Sequence, residues 1–352
     1  MLDNIDFFPL FVTAISCIVA IRLITPFAIN IDLVDKPNQR KKHIGNIPLV
    51  GGISIFIAII IGLLTTQIDI NQQKNLLLAM MVVVVVGVID DHQDLSTKSR
   101  ILSHIVAVSV VVVLDNVALN SLGWIFGVNE FKLHAWAMFF TVFTVIGVMN
   151  AINMSDGIDG LSGTLSLIVL LFIAYFSYIG GHVDYLTISL LICCALIPFL
   201  LFNLGVFGKS RKVFMGDAGT TLLGLVIAIL LIALSQGDNA AFQPVAALWL
   251  LAIPLIDTFA IMLRRMIKGR SPFKADREHL HHFFIRAGIS DRKALMIIAT
   301  LSLIMAFFGV WMQVNNVPEW IMFILFVLVF FLYLFGTVHA WKVMKFIKRK
   351  LI

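Results

Sequence analysis

Long apolar runs alternate with short polar stretches from one end of the chain to the other. Each run is close to the roughly twenty residues a helix needs to cross a ~30 Å hydrocarbon layer. The pattern predicts spans at 7–28, 48–66, 75–89, 101–119, 134–152, 161–179, 186–202, 218–235, 244–264, 294–313 and 320–341. A backbone in lipid must satisfy its own polar groups, which favours helices. The fold expected is an all-α polytopic membrane protein of about 11 transmembrane helices.

Orientation follows from Lys and Arg, which favour cytoplasmic loops. Those at Lys36, Lys98, Arg100, Lys209, Arg211, Lys212 and Arg264 through Lys293 all follow odd-numbered predicted spans, as does the tail to Lys350. Lys74 and Lys132 fall on the other side. The N-terminus is therefore expected outside and the C-terminus inside. The outer loops look like connectors, except that the Gly and aromatic content of Asn120 to Leu133 suggests a hairpin. A single membrane domain over 1–352 is expected, with its chemistry in inner loops at about 29–47, 90–100, 153–160, 203–217 and 265–293.

Composition agrees with the pattern and removes alternatives. The 352 residues are 60% hydrophobic and 13% charged, against about 45–50% and about 25% in soluble domains. A soluble enzyme is excluded on that ground. The net charge of +6 is spread over loops and not gathered on a soluble module, so no nucleic-acid partner is expected. Cys17, Cys193 and Cys194 all lie within apolar runs and read as small core residues. The first run lacks a basic leader and is too long for a signal core, so it reads as a retained span.

Four constellations carry chemistry. Asp90-Asp91 end the third run, with Lys98 and Arg100 in the same loop. Acids at a helix C-terminus oppose the macrodipole, which argues for a partner, although a solvated helix end is the simpler reading. Asn153-Met-Ser-Asp156-Gly-Ile-Asp159-Gly places two acids at i, i+3, on one face of a helical turn. They need a cation or donor between them unless the segment is an Asx-rich turn. Val213-Phe214-Met-Gly-Asp217-Ala-Gly sets an acid in a Gly-rich turn after basic residues, suiting Mg²⁺ with phosphate or a plain helix N-cap. His279, His281 and His282 sit in the most basic inner loop. Without a Cys or an HExxH glutamate, phosphate contacts are favoured there over zinc. Asp257, inside the ninth run, is a functional candidate by depth or a structural pair for Arg264.

The four motifs follow spans 3, 5, 7 and 9, so all open on one face. Carboxylates gathered with Lys, Arg and His are the inventory of metal-assisted phosphoryl transfer. A transporter for a lipid-linked anion would share the cations, but its charges belong deep in the spans.

DDHQDLSTK, NMSDGIDGL, VFMGDAG and RSPFKADREHLHH together resemble the polyprenyl-phosphate N-acetylhexosamine-1-phosphate transferases, glycosyltransferase family 4. The loop His279-Leu-His281-His282 and the stretch Ile47-Pro-Leu-Val-Gly-Gly favour its GlcNAc-phosphate branch over the peptidoglycan branch. The resemblance implies attack of undecaprenyl phosphate on the β-phosphorus of UDP-GlcNAc, giving undecaprenyl-diphosphate-GlcNAc and UMP. It implies a bacterial inner-membrane enzyme facing the cytoplasm, with membrane lipid around it and a homodimer left open. The product would start a surface glycan such as O-antigen, common antigen or teichoic acid, and another UDP-N-acetylhexosamine is the alternative donor. By the same resemblance Asp217 binds Mg²⁺, with Mn²⁺ as the alternative, and Asp91 assists it. Asp90 and Asp91 are the catalytic acids, Asp90 keeping the lipid phosphate deprotonated and oriented. Asn153, Asp156, Asp159 and Phe214 surround the nucleotide and Lys98 meets a phosphate. Arg265, His279, His281 and His282 hold the sugar diphosphate, with Lys41 and Lys42 helping.

Overall fold

The computed structural model describes residues 6–37, 45–267, 269 and 279–339. In chain order these form α1 (Phe7–Asn30), β1 (Val34–Asp35), β2 (Ile47–Pro48), α2 (Gly51–Leu64), α3 (Ile70–Gln93), α4 (Thr97–Leu114), α5 (Ala137–Met154), α6 (Leu161–Gly180) and α7 (Val183–Asn203). They continue with α8 (Gly216–Ser235), α9 (Pro244–Leu250), α10 (Ala252–Ile267), α11 (Leu280–Arg286), α12 (Asp291–Val314) and α13 (Glu319–Val338). Among the described residues, nine helices are long and apolar enough to cross a membrane, and ten if α9 and α10 count as one span. The chain is a multi-pass, all-α membrane protein.

Every predicted span has a helical counterpart, and two differ in kind. The second, α2, has only 14 residues, too few to cross a full hydrocarbon layer. The ninth is broken at Leu251, where α9 and α10 meet at 83°. Boundaries moved where caps outvote hydropathy. Helix α3 begins at Ile70 because Asp69 accepts a hydrogen bond from Asn71 N, so polar Asn71 to Lys74 lie inside the helix. Ser96 likewise starts α4 by accepting from Ser99 N at 3.2 Å.

Helix α8 is the axis of the bundle: nearly every residue from Gly216 to Ser235 is buried, as expected of a helix apolar on all sides. With no hydrophobic drive between helices in lipid, close packing holds them, and small residues permit it. A Cβ on Gly52 would lie 2.2 Å from Gly219 N, one on Gly87 2.3 Å from Ala218 Cα, and one on Gly224 2.5 Å from Met149 Cα. These contacts seat α2, α3 and α5 against α8. Exposed apolar side chains line the outside, including Phe11 and Leu23 of α1, Phe307 of α12 and Leu332 of α13.

On the far side, Ser121 and Lys132 form a β-bridge, so the Asn120–Leu133 hairpin is present. Gln236 at the end of α8 pins it, accepting from Asn120 N and Ser121 N at 2.9 Å each. At the opposite end β1 and β2 pair antiparallel, Val34 with Pro48 and Asp35 with Ile47. Pro48 O accepts from Phe214 N at 2.9 Å and Gly51 N donates to Phe214 O at 2.9 Å, so the loop between α1 and α2 is bonded to the approach to α8.

Candidate active site

The close crossings of α8 decide where its N-terminal acid sits. Asp91 lies one turn after Gly87 on α3, so the approach of Gly87 to Ala218 carries the Asp91 carboxylate over the start of α8. Its Oδ1 accepts from Asp217 N at 2.8 Å and its Oδ2 faces Ala218 N at 3.4 Å. Asp91 thus caps α8 from another helix, satisfying N–H groups that otherwise have no partner. Gly216 is needed twice here: its φ is +71°, and a Cβ would meet Asp91 Oδ2 at 2.3 Å.

Asn153 follows the same logic. It lies one turn after Met149, the residue packed on Gly224, and so reaches Thr220, one turn before that glycine. Its Nδ2 donates to Asp217 Oδ1 at 2.6 Å and to Thr220 Oγ1 at 2.9 Å. Arg100, in the first turn of α4, brings Nη1 to 3.2 Å from Asp90 Oδ2 and 3.4 Å from Asp217 Oδ2. Asp90 Oδ1 accepts from Leu95 N at 2.7 Å, closing the α3–α4 turn. Three carboxylates, one guanidinium and one amide therefore meet at one point.

A second patch adjoins the first. Asp159 pairs with Lys212, whose Nζ stands 5.1 Å over the Phe214 ring, while Asp156 Oδ1 accepts from Ser162 Oγ at 2.5 Å. Asn203, buried at the end of α7, joins the two loops: its Oδ1 accepts from Gly160 N at 2.6 Å and its Nδ2 donates to Val213 O at 2.9 Å. His281 presses on Gly157, where a Cβ would come within 2.1 Å of the imidazole. Burial, with His279 and His282 alongside, pushes the His281 pKa down to about 3, so its ring is neutral near pH 7.

The histidine segment is anchored inside the bundle. Asp257 Oδ2 lies 2.9 Å from His279 Nδ1, and its Oδ1 accepts from Leu280 N at 3.1 Å and Tyr333 Oη at 2.5 Å. A carboxylate partner places a proton on His279 Nδ1 and fixes the ring. Arg264, offered by the sequence as the partner of Asp257, faces Thr337 O at 3.5 Å and stands over the Phe283 ring.

A cavity of about 910 Å³ opens from the acid cluster. At its polar end stand Asp90, Arg100, Asn153, Asp217, Arg265 and His279. Beyond them its walls are apolar, from Phe143 and Leu231 to Leu248 and Phe259, reaching Leu119, Leu122 and Ile125 beside the far hairpin. Between Asp217 and Ser235 it follows α8 for roughly 27 Å at 1.5 Å per residue.

The structure thus gathers Asp90, Asp91, Asn153 and Asp217 at one point, with Asp156, Asp159, Phe214 and the three histidines around them and Arg265 on the cavity wall. Lys98 is the exception: it is exposed and absent from the cavity lining, where Arg100 stands instead. The two are 200° apart around a helix, so one faces the bundle and the other leaves it. Lys41 and Lys42 lie outside the described residues. Arg100, Asn203 and Tyr333 were not singled out by sequence. Arg100 was visible only as a charge near Lys98, and the other two carry no signal in spacing. Among the described residues, no group of three or more His, Cys, Asp or Glu side chains could hold a metal alone.

The chain has close counterparts among known proteins. The family model of glycosyl transferase family 4 matches residues 74–235. An undecaprenyl-phosphate α-N-acetylglucosaminyl 1-phosphate transferase of Salmonella typhi is 42% identical over 346 residues, covering 96% of this chain and 94% of that protein. Proteins of the same name from Haemophilus influenzae and Escherichia coli are 39% and 42% identical, covering 97% and 91% of this chain and 96% and 87% of theirs. With likeness at this level along almost its whole length, the chain belongs to glycosyl transferase family 4.

Proposed function

We propose that this protein transfers GlcNAc-1-phosphate from UDP-GlcNAc to undecaprenyl phosphate, giving undecaprenyl-diphosphate-GlcNAc and UMP, at the cytoplasmic face of the bacterial inner membrane. One observation carries the reading: a cluster of phosphate-handling groups stands at the mouth of a long apolar cavity. A lipid phosphate has the same division, an anionic head on an apolar tail. The names of the relatives give undecaprenyl phosphate and the transferred N-acetylglucosaminyl 1-phosphate, the motif resemblance supports a UDP-linked donor, and the crowding of basic residues at this end supports the orientation.

The chain's own groups divide the work. Arg100 neutralises charge between Asp90 and Asp217 and is placed to meet the lipid phosphate. That phosphate has a second pKa near 6, so no strong base is required, and Asp90 serves to orient it. Asp156, Asp159 and Phe214 offer acceptors and a ring face to the nucleotide, and Arg265 with the histidines holds the diphosphate. Transfer is a direct displacement in which a lipid phosphate oxygen bonds to the β-phosphorus as the bond to the UMP oxygen breaks.

The donor set suits Mg²⁺, which takes one or two carboxylates and leaves its remaining positions to water and phosphate. Asp217 and Asp90 provide hard oxygens, and Asp90 Oδ2 is buried with only the Arg100 guanidinium beside it, at 3.2 Å. Asp91 is committed to the backbone of α8, so its part is to fix Asp217 rather than to bind the ion through both oxygens. Bound there, Mg²⁺ would offset charge developing on the phosphates.

The test is UMP release by purified protein in detergent with UDP-GlcNAc and Mg²⁺, with and without undecaprenyl phosphate. The expected result is lipid-dependent UMP that EDTA abolishes. Folded protein that makes no UMP, or makes it equally without lipid, overturns the proposal.

A further inference from the structure

One ionisable side chain in the cavity wall takes no part in the acid cluster or the histidine segment. His104 lies on α4 one turn after Arg100, on the same face, and lines the cavity just inside the ring of charges. It is 7% exposed. Its Nδ1 is buried with no hydrogen-bond partner, and the ring lies within electrostatic reach of both Arg100 and Asp217. On either side stand Ile101 and Ile105, also in the cavity lining.

This is a costly residue at that position. A buried polar atom without a partner destabilises the fold, and an apolar side chain of similar size would not. An ionisable side chain at membrane depth is functional by default. The cavity that the ring lines is where a polar partner for the imidazole can enter. A neutral imidazole presents one N–H donor and one acceptor, and the polar species expected at this boundary is an anionic phosphate, rich in acceptors. The water-soluble donor reaches the cluster from the loop side, through Asp156, Asp159 and the histidines. An acceptor lipid whose tail lies along the apolar walls brings its phosphate to the boundary where His104 stands one turn from Arg100.

We propose that His104 is a further binding residue for the acceptor lipid, donating an N–H to its phosphate where the apolar cavity meets the acid cluster. The proposal rests on the reading that a lipid phosphate is the acceptor. It makes the Arg100–His104 face of α4 a two-point clamp for the head group, the arginine supplying charge and the histidine direction.

The experiment compares full-length wild type with His104→Leu, His104→Asn and His104→Gln in detergent. The kinetic arm measures KM for undecaprenyl phosphate and for UDP-GlcNAc separately. A second arm measures the thermal stabilisation given by undecaprenyl phosphate alone, with no donor present. Loss of a hydrogen bond to a charged acceptor predicts a rise in the lipid KM of about ten- to a hundredfold in His104→Leu, with kcat and the donor KM little changed. One of the two amides, each of which keeps an N–H, is expected to recover most of the loss. Folded His104→Leu with an unchanged lipid KM overturns the proposal, as does a rise confined to the donor KM. Should wild type release no lipid-dependent UMP, the proposed reaction fails, and the binding arm still decides here. Stabilisation of wild type but not of His104→Leu supports the clamp, and equal stabilisation of both rejects it.

Discussion

Replacing Asp257 by Asn changes one charge and almost no volume, which isolates what the carboxylate does. The wild-type side chain is 6% exposed and takes His279 Nδ1 on one oxygen and Leu280 N with Tyr333 Oη on the other. An asparagine oxygen can keep the second pair. Its NH₂ group then turns a donor toward His279 Nδ1, where an acceptor is needed, so the ring must change tautomer or swing away. The loss is one hydrogen bond to a charged group, about 1.5–3 kcal/mol. At 1.36 kcal/mol per factor of ten, kcat/KM for UMP release should fall about ten- to a hundredfold. Tyr333→Phe removes only a donor to the other oxygen and should cost less than Asp257→Asn. The assay is steady-state UMP release, with protein folding checked by gel filtration and thermal unfolding. Folded Asp257→Asn with wild-type kcat/KM would refute the idea that Asp257 positions the histidine segment.

Three further outcomes follow from the geometry. Arg100→Ala leaves Asp90 and Asp217 facing each other without their shared cation and should reduce kcat at least about tenfold, whereas Lys98→Ala should stay within about twofold of wild type; parallel kinetics of the two variants checks this. Gly157→Ala puts a methyl group 2.1 Å from the His281 ring, overpacking that should cost about 1–3 kcal/mol, seen as a lower unfolding temperature together with lost activity. The pH dependence of stability has a definite sign. His281 is neutral in the fold down to about pH 3 but takes a proton below about 6.5 when unfolded. Its contribution is therefore complete above pH 6.5 and is lost as pH falls from 6.5 toward 3, by up to about 1.4 kcal/mol per unit. Thermal unfolding of wild type and His281→Gln between pH 4 and 7 should show a shallower slope in the variant.

What the sequence made legible was axial position. Hydropathy located the eleven predicted spans but not the short α11, and the described residues of the four motifs lie at the same end of the bundle. It could not say which way a side chain points around its helix. Lys98 and Arg100 are two residues apart, equally basic and equally near the acids, and only the packing of α4 on α3 turns Arg100 inward. Asp91 read as an active acid because adjacent carboxylates suggest chemistry, yet the Gly87 crossing commits it to capping α8. Asp257 was conspicuous as an acid within an apolar run, but its true partners, His279 and Tyr333, are 22 and 76 residues away, beyond any local periodicity. The break at Leu251 was hidden for a similar reason: apolar residues continue across it, so composition alone reads α9 and α10 as one straight span. The apolar cavity depends on which faces of α4, α5, α8 and α10 are left unfilled, a property of packing with no counterpart in a one-dimensional pattern.

The account turns on a lipid phosphate entering through that cavity and attacking the sugar-bearing phosphorus. Undecaprenyl phosphate labelled with ¹⁸O on its phosphate, incubated with UDP-GlcNAc and purified protein, tests this directly by mass spectrometry of both products. The label should appear in undecaprenyl-diphosphate-GlcNAc, with none in UMP. Label in a UMP-bearing product, or UMP formed without any labelled lipid diphosphate, would contradict it.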